Sequence, residues 1–251
     1  MTIPPARPLS RREFLLCACG FPFFWRRGRV TLGGVCFRRR RRGRSSTRYL
    51  VIHGDEETAR VVLEDHLRMW PGVAHIVTGR RRTVKVPGGT LDPNRMFSRS
   101  GAEANLLRLN PGWQPAQLAR ALDRLDRLRP KMVDALIPPP GGLLFALHNN
   151  ARGYSVDDEI SISDAVSLRN PGQPHEFFLC TAQADFAVLA QSQYNVVLQR
   201  DKPAADDGSL SRLAARLGVR YVNLEVGIGK PQIQRDMLEW AAARLTPDRP
   251  T

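Results

Sequence analysis

Short apolar runs alternate with helical patterns through most of the chain, and this alternation limits the possible folds more than any other feature. Residues 49–52 predict a central strand, residues 57–70 have the apolar spacing of a helix, and residues 73–77 predict a second strand. Strands that alternate with helices form a mostly parallel sheet that is covered on both faces. We therefore predict an α/β fold of three layers, with a mostly parallel or mixed sheet between helices.

The same patterns continue to the end of the chain. Apolar runs predict further strands at residues 143–147, 177–181, 195–199 and 221–226, and an alternating edge strand at residues 83–86. Helical spacing predicts helices at residues 115–128, 210–217 and 232–245. This content suits one α/β domain of about 200 residues. We place that domain at residues 47–251.

Positive charge is concentrated at the N-terminus. Residues 1–50 hold 13 arginines and one acid, while the whole chain has a formal net charge of +14, so the remainder is nearly neutral. A basic run at one end is more typical of a targeting or solvated segment than of a binding face. We therefore predict an unpacked basic leader at residues 1–46, and no nucleic-acid partner.

The predicted leader has some features of an export signal. Ser10-Arg-Arg-Glu-Phe-Leu-Leu16 resembles the twin-arginine motif, and the apolar segment that follows it, residues 14–25, is too short to cross a bilayer as a helix. The many arginines after this segment and the lack of a clear cleavage site are unusual for such a signal. We predict export to the periplasm, with a cytoplasmic protein as the alternative, and no stable membrane span. The sequence does not indicate an oligomeric state.

Residues with metal-binding and acid–base chemistry gather at the predicted ends of strands. His53 and Glu56 follow the first strand, His148 follows residues 143–147, and Glu225 lies in the last predicted strand. Sites in open α/β sheets form beyond the carboxyl ends of the strands. Two histidines and a glutamate are one of the ligand sets of catalytic zinc, with a fourth position open to water. We predict that His53, Glu56 and His148 bind Zn²⁺.

The remaining candidates would serve a hydrolytic reaction. Zinc lowers the pKa of its bound water to about 7, and Glu225 would take the proton of that water and return it to a leaving nitrogen. Arg95, next to Asn94, offers a guanidinium fork that suits a substrate carboxylate, although the pair could instead cap a helix or bind an acid. Tyr154 follows His148 closely and is either a substrate contact or a rim aromatic.

Four short motifs resemble those of the zinc carboxypeptidase clan, and most closely those of its aspartoacylase and succinylglutamate desuccinylase branch. They are similar to that branch's His-Gly-Asn-Glu, Asp-Leu-Asn-Arg-x-Phe, Leu-His-Asn-Thr and Ile-Glu-Val-Gly, and they occur in the same order. In this chain they are His53-Gly-Asp-Glu56, Asp92-Pro-Asn-Arg-Met-Phe97, Leu147-His-Asn-Asn150 and Leu224-Glu-Val-Gly227.

The resemblance implies the same three zinc ligands, Glu225 as the general base, and a substrate carboxylate held by Asn94 and Arg95. It also implies an upstream arginine that polarises the scissile carbonyl group. Three arginines at residues 80–82 lie in the right region, and we choose Arg82.

The chain also departs from that branch. Asp55 and Pro93 stand where the branch has asparagine and leucine, and only 26 residues follow Glu225, where the branch continues into a β-rich domain that shapes the substrate pocket. We therefore predict a metallocarboxypeptidase-like catalytic domain that hydrolyses an amide or peptide bond next to a free carboxylate, for example in a cell-wall peptide. The alternatives are an N-acyl amino acid deacylase and an inactive relative that binds peptides.

Overall fold

The computed structural model describes residues 28–32, 34–150, 153–201 and 205–248. The described strands are β1 (Gly28–Leu32), β2 (Val35–Arg42), β3 (Arg48–Val51), β4 (Gly72–Val77), β5 (Val84–Val86), β6 (Gly89–Leu91), β7 (Leu143–Asn150), β8 (Ala165–Ser167), β9 (Phe177–Cys180), β10 (Asn195–Leu198) and β11 (Arg220–Gly227). The described helices are α1 (Glu57–His66), α2 (Arg99–Leu109), α3 (Pro115–Leu136), α4 (Asp157–Ile160), α5 (Gln183–Leu189), α6 (Leu210–Arg216) and α7 (Pro231–Leu245), with a 3-10 turn at Pro93–Arg95.

Nine of the described strands form one mixed sheet, in the order β1-β2-β4-β3-β7-β11-β9-β10-β8. The four central strands, β4, β3, β7 and β11, run parallel to one another, whereas β2 and β9 pair antiparallel to the two sides of this block. The predicted α/β class with a mixed sheet is therefore confirmed. Because β3, β7 and β11 are parallel, their carboxyl ends lie at the same edge of the sheet.

Helices cover both faces of the sheet. Successive side chains of a strand point to opposite faces, so Tyr49 and Val51 of β3 join one buried apolar cluster and Leu50 joins the other. The first cluster includes residues of α1, α5 and α7, and the second includes residues of α2, α3 and α6. The three layers therefore have the predicted arrangement. None of the described helices is both long and apolar enough to cross a membrane.

The predicted boundary between leader and domain is wrong. Strands β1 and β2 belong to the sheet, and β2 pairs antiparallel with β4 over residues 37–42. Val35 and Phe37 are buried in the core, and five arginines, Arg38 to Arg42, complete the strand. An arginine can lay its aliphatic stem along a sheet and keep its charge in water, which is why a basic run also fits a strand.

Part of the basic charge therefore belongs to the fold and not to a leader. The charge distribution no longer argues against a nucleic-acid partner, so the absence of such a partner stays a prediction. The twin-arginine-like motif and the apolar segment after it lie outside the described residues, and export likewise stays a prediction.

Several described elements differ from the prediction in extent or place, and β6, β8, α4 and α5 were not predicted. The predicted edge strand at residues 83–86 forms a separate hairpin of β5 with β6. Helix α3 continues through Pro130, where a proline usually ends or kinks a helix, and its apolar stripe continues with the buried Met132 and Leu136. Helix α2 was not predicted. Its apolar residues lack a clear helical period, and Ser98 caps its first turn by accepting a bond from the Gly101 backbone nitrogen.

Candidate metal centre and its cavity

His53, Glu56 and His148 come together at the carboxyl edge of the sheet. His53 lies just beyond β3, Glu56 lies directly before α1, and His148 lies near the end of β7, which is parallel to β3. All three side chains are buried, and one ligand atom from each lies within 4.8 Å of the others. Small side-chain adjustments would bring these three groups to a single metal ion. The three predicted ligands therefore form one cluster.

Gly54 makes the tight loop of this cluster possible. A Cβ at residue 54 would lie 2.6 Å from the carbonyl oxygens of Gly79 and Arg81, and the Gly54 backbone nitrogen donates a hydrogen bond to the Arg81 oxygen at 3.0 Å. Only glycine allows two backbone segments to approach so closely. The contact holds the segment of residues 79–82 against the loop that carries His53 and Glu56.

The Glu56 carboxylate lies between the two imidazole rings. Its Oε1 is 2.8 Å from Nδ1 of His53 and 3.3 Å from Nδ1 of His148. Burial would raise the pKa of Glu56, but His148 and His53 outweigh that effect and lower the pKa to about 2. Oε2 is buried and forms no hydrogen bond among the described residues, although Nδ1 of His148 lies 3.2 Å from it. Such an orphaned acceptor is costly, and a cation held by the three side chains would satisfy it. The donor set therefore fits Zn²⁺.

Asp92 fixes the orientation of His53. Its Oδ1 lies 2.8 Å from Nε2 of His53 and also accepts a bond from the Asn94 backbone nitrogen at 2.9 Å. A histidine whose Nε2 donates to a carboxylate presents Nδ1 to a metal. Burial opposes ionisation of Asp92, but its bond to His53 holds the pKa of that carboxyl well below its ordinary value. Sequence reasoning missed this positioning residue, although it is the first residue of a quoted motif.

The two carboxylates keep a proton on His53 when no metal is bound. Burial by itself would lower the pKa of His53, but Glu56 and Asp92 outweigh it and raise the pKa to about 9. A metal can bind only the neutral ring. A metal ion that binds His53 must therefore displace this proton at neutral pH.

We expect the zinc affinity to rise about tenfold per pH unit between about pH 6 and pH 8, because one bound proton competes with the metal over this range. Below pH 9 the ring holds the proton, and raising the pH removes the competitor, so the slope is positive and flattens above about pH 9. Competition with a chelator of known affinity at several pH values measures the slope. A zinc affinity that does not change between pH 6 and pH 8 would contradict the prediction.

Replacing Asp92 with asparagine provides the matched test. The variant removes one of the carboxylates that raise the pKa of His53, so the affinity should level off at a lower pH. It also loses the acceptor that orients the ring, and we expect the affinity above pH 9 to be about 10- to 100-fold weaker. Asp134→Asn, which removes an exposed carboxylate on α3, should leave both the slope and the affinity unchanged.

Arg82 is the arginine of residues 80–82 that faces the cluster. Its Nη1 lies 3.4 Å from Oε1 of Glu56, and its Nε lies 3.4 Å from Oδ2 of Asp92. Half of its side chain remains exposed, and it lines the cavity, whereas Arg80 and Arg81 do not. Arg82 can therefore reach both the cluster and a bound molecule. Its role in catalysis stays a prediction.

Asn94 and Arg95 lie in the 3-10 turn that follows β6, and both line the cavity. The Asn94 Oδ1 accepts a bond at 3.1 Å from the backbone nitrogen of Leu210, the first residue of α6. Arg95 lies 3.4 Å from the Asp207 carboxylate, measured from its Nη1. The alternative of a capping and acid-binding pair is thus present in the structure. A substrate role for Asn94 and Arg95 stays a prediction.

Glu225 lies beside His148 in the sheet. The two residues are in register in the parallel pair of β11 and β7, so their side chains lie on the same face. Burial raises the pKa of Glu225 above its ordinary value, against the opposing effect of His148. Asn223 donates a bond to the carboxylate from Nδ2 at 3.0 Å. A buried carboxyl with a raised pKa, next to a group of candidate metal ligands, suits proton transfer.

Tyr154 lines the cavity from the segment that precedes α4. Its hydroxyl donates to Oε1 of Glu159 at 2.6 Å. Burial raises the pKa of Tyr154 well above its ordinary value, and the charges of Glu225 and Glu159 add to this effect. The phenol therefore keeps its proton as a donor. A contact between Tyr154 and a substrate stays a prediction.

All eight predicted site residues line one cavity of about 350 Å³, a volume within the range of small-molecule sites. Sequence reasoning assigned no role to ten other polar residues that line it, of which three lie within the quoted motifs and seven come from segments outside them. They are Asp55, Asn149, Asn150, Glu159, Gln199, Asp207, Ser209, Ser211, Arg212 and Asn223.

Comparison with known proteins does not assign this chain to a family. The chain matches no protein-family model and no curated protein sequence. The case for a function therefore rests on the four motifs and on the arrangement of the residues that they contain.

Proposed function

We propose that this protein is a zinc-dependent hydrolase that cleaves an amide or peptide bond next to a free carboxylate. The observation that supports the proposal best is that all eight predicted site residues line one cavity. Within it, the cluster of His53, Glu56 and His148 lies beside a buried carboxyl, Glu225, whose pKa is raised. A metal ligand set, a proton-transfer group and a cationic group in one cavity are the parts that metal-assisted hydrolysis needs.

Zinc bound to His53, Glu56 and His148 would supply a water of lowered pKa and a Lewis acid for the carbonyl group. Glu225 would accept the proton of the attacking water and pass it to the leaving nitrogen as the carbon–nitrogen bond breaks. Its raised pKa makes the carboxylate a stronger base in the first step, and the protonated carboxyl group then lies in position to donate in the second. Arg82 would donate hydrogen bonds to the oxygen on which negative charge develops.

Arg95 and Asn94 would hold the substrate carboxylate. The present partner of Arg95 is Asp207, at 3.4 Å, and both side chains are partly exposed. An ion pair of this kind contributes at most about 1 kcal/mol to stability. A substrate carboxylate that forms two parallel hydrogen bonds with the guanidinium group would displace it. Peptides with a free C-terminal carboxylate and N-acyl amino acids both meet this requirement.

The test is zinc analysis of the full chain together with a hydrolysis screen. We expect about one equivalent of zinc after purification under metal-replete conditions, because three buried ligands of one chain should hold one ion per molecule. We also expect hydrolysis of at least one substrate class among C-terminal dipeptides, cell-wall muropeptides and N-acyl amino acids. Glu239→Gln, which removes an exposed carboxylate on α7, should change neither the zinc content nor the activity.

Two results would contradict the proposal. Less than about half an equivalent of zinc in folded protein would remove the metal from the mechanism. A full equivalent of zinc without hydrolysis of any substrate class would favour the inactive, peptide-binding relative instead.

A further inference from the structure

A second group of polar residues lines the cavity, and it takes no part in the metal cluster. It consists of Glu159 of α4, Gln199 just beyond β10 and Asn223 of β11. Asn223 of β11 is in register with Leu179 of β9, and Leu179 is in register with Val197 of β10. Gln199 follows Val197 by two residues, so it lies on the same face of the sheet as Asn223. We call Glu159, Gln199 and Asn223 the acceptor subsite.

The carboxylate of Glu159 is held in place by uncharged donors. Oε1 accepts the Tyr154 hydroxyl at 2.6 Å, and Oε2 accepts a hydrogen bond from the side-chain nitrogen of the buried Gln199. In the described part of the chain, no arginine or lysine forms an ion pair with Glu159. The cavity wall therefore carries a carboxylate that is well oriented and that forms no ion pair with a described arginine or lysine.

Asn223 presents a further acceptor. Its Nδ2 donates to the Glu225 carboxylate at 3.0 Å, the orientation that pairs an amide donor with an ionised acceptor. The Asn223 Oδ1 is then buried and finds no donor among the described residues. A buried acceptor without a donor is costly, and a ligand that supplies a donor would remove that cost.

Apolar residues complete this part of the cavity. Leu179 and Ile162 line it, together with the rings of Tyr154 and Tyr221. Walls of this kind suit a flexible aliphatic stem, and the oxygens of the acceptor subsite suit a charged group with several N–H donors at its end. Long basic side chains have this construction, with an apolar stem and a cationic tip.

We propose that the acceptor subsite binds a side-chain ammonium or guanidinium group of the substrate, with Glu159 as its charged partner. The substrate is then a peptide or acyl derivative that contains a basic amino acid. This inference rests on the proposed function, since it assigns a substrate class to the same cavity. Arg95 and Arg82 receive negative groups of the substrate, and the acceptor subsite receives the positive one.

The competing explanation is that Glu159 only positions Tyr154. The two explanations differ in what the substrate must carry. A positioning role affects every substrate alike, whereas a subsite for a cation distinguishes lysine from norleucine, which has a stem of similar length without the ammonium group. The ratio of kcat/KM for matched lysine and norleucine substrates is therefore the decisive quantity.

The experiment uses zinc-loaded full-length protein and pairs of acyl-dipeptides that carry lysine, arginine or norleucine on either side of the scissile bond. For one of the two positions, we expect kcat/KM to be at least about tenfold higher with lysine or arginine than with norleucine. In Glu159→Gln, the lysine-to-norleucine ratio should fall at least about tenfold, to a value near one. Asp157→Asn, which removes an exposed carboxylate from the same helix, should leave the ratio unchanged.

Equal rates for lysine and norleucine substrates at both positions in the wild-type protein would overturn the proposal. It would also be overturned if Glu159→Gln lowered both rates in proportion. If no substrate is hydrolysed, equilibrium binding of free lysine and norleucine tests the subsite separately. Tighter binding of lysine that is lost in Glu159→Gln would support the subsite while the proposed function fails, and equal binding would overturn the subsite too.

Discussion

Replacing Glu225 with glutamine is expected to lower kcat for hydrolysis by about 10²- to 10⁴-fold, the usual contribution of a general base. The amide has nearly the same shape as the carboxyl group, and its oxygen can still accept the bond that Asn223 donates. It cannot accept a proton from the attacking water. The fold and the zinc content should therefore stay unchanged while the chemistry is lost.

Steady-state kinetics, zinc analysis and a thermal melt of the same preparation measure these three properties. Glu239→Gln is the control, because it makes the same chemical change at an exposed position on α7. A variant that retained more than about a tenth of the wild-type rate would show that Glu225 is not the base. Loss of zinc in the variant would show that Glu225 has a role in metal binding instead.

Removing zinc is expected to abolish hydrolysis and to lower the melting temperature by about 5 to 10 °C. If zinc binds the native state and not the unfolded state, a free zinc concentration of about 100 times its Kd raises the free energy of unfolding by about 2.7 kcal/mol. For a domain of this size, each kcal/mol shifts the melting temperature by about 2 to 4 °C. The physical source is the cluster itself, where a bound cation would contact the buried Glu56 carboxylate, whose Oε2 forms no hydrogen bond among the described residues.

Melting curves at a fixed excess of free zinc and in the presence of a chelator measure the shift. His148→Ala removes one ligand of the cluster, and its melting temperature should respond little to zinc. Adding zinc back to the wild-type protein after its removal by the chelator should restore hydrolysis. A wild-type protein that melts at the same temperature with and without zinc would show that the cluster binds no metal under these conditions.

Much of the central sheet was predictable because it depends on local patterns. The apolar runs of β3, β4, β7 and β11 are short and buried, and the helical spacing of α1 and α7 lies between or after them. Parallel strands bring their carboxyl ends to one edge whatever the details of packing. That rule predicts that His53, His148 and Glu225 lie close together, although they are far apart in the chain.

The N-terminal strands were not predictable from the same patterns. Burial of apolar side chains identifies a strand in sequence, but β2 contributes mainly arginines to its pair with β4. The backbone hydrogen bonds of a sheet do not depend on the side chain, and an outer strand can keep charged groups near water. Only the partner strand shows that these arginines belong to the fold.

The sequence by itself determined the chemistry that is available, because the ligand types and the proton-transfer group are properties of His53, Glu56, His148 and Glu225 as residues. The tertiary structure alone decided which other groups join them. It brought Asp92 to His53, placed Arg82 and not its neighbours in the cavity, and assembled the acceptor subsite. These arrangements depend on contacts such as that of Gly54 with the distant segment of residues 79–82. Contacts of this kind leave no periodic trace in the chain, so only the folded structure shows them.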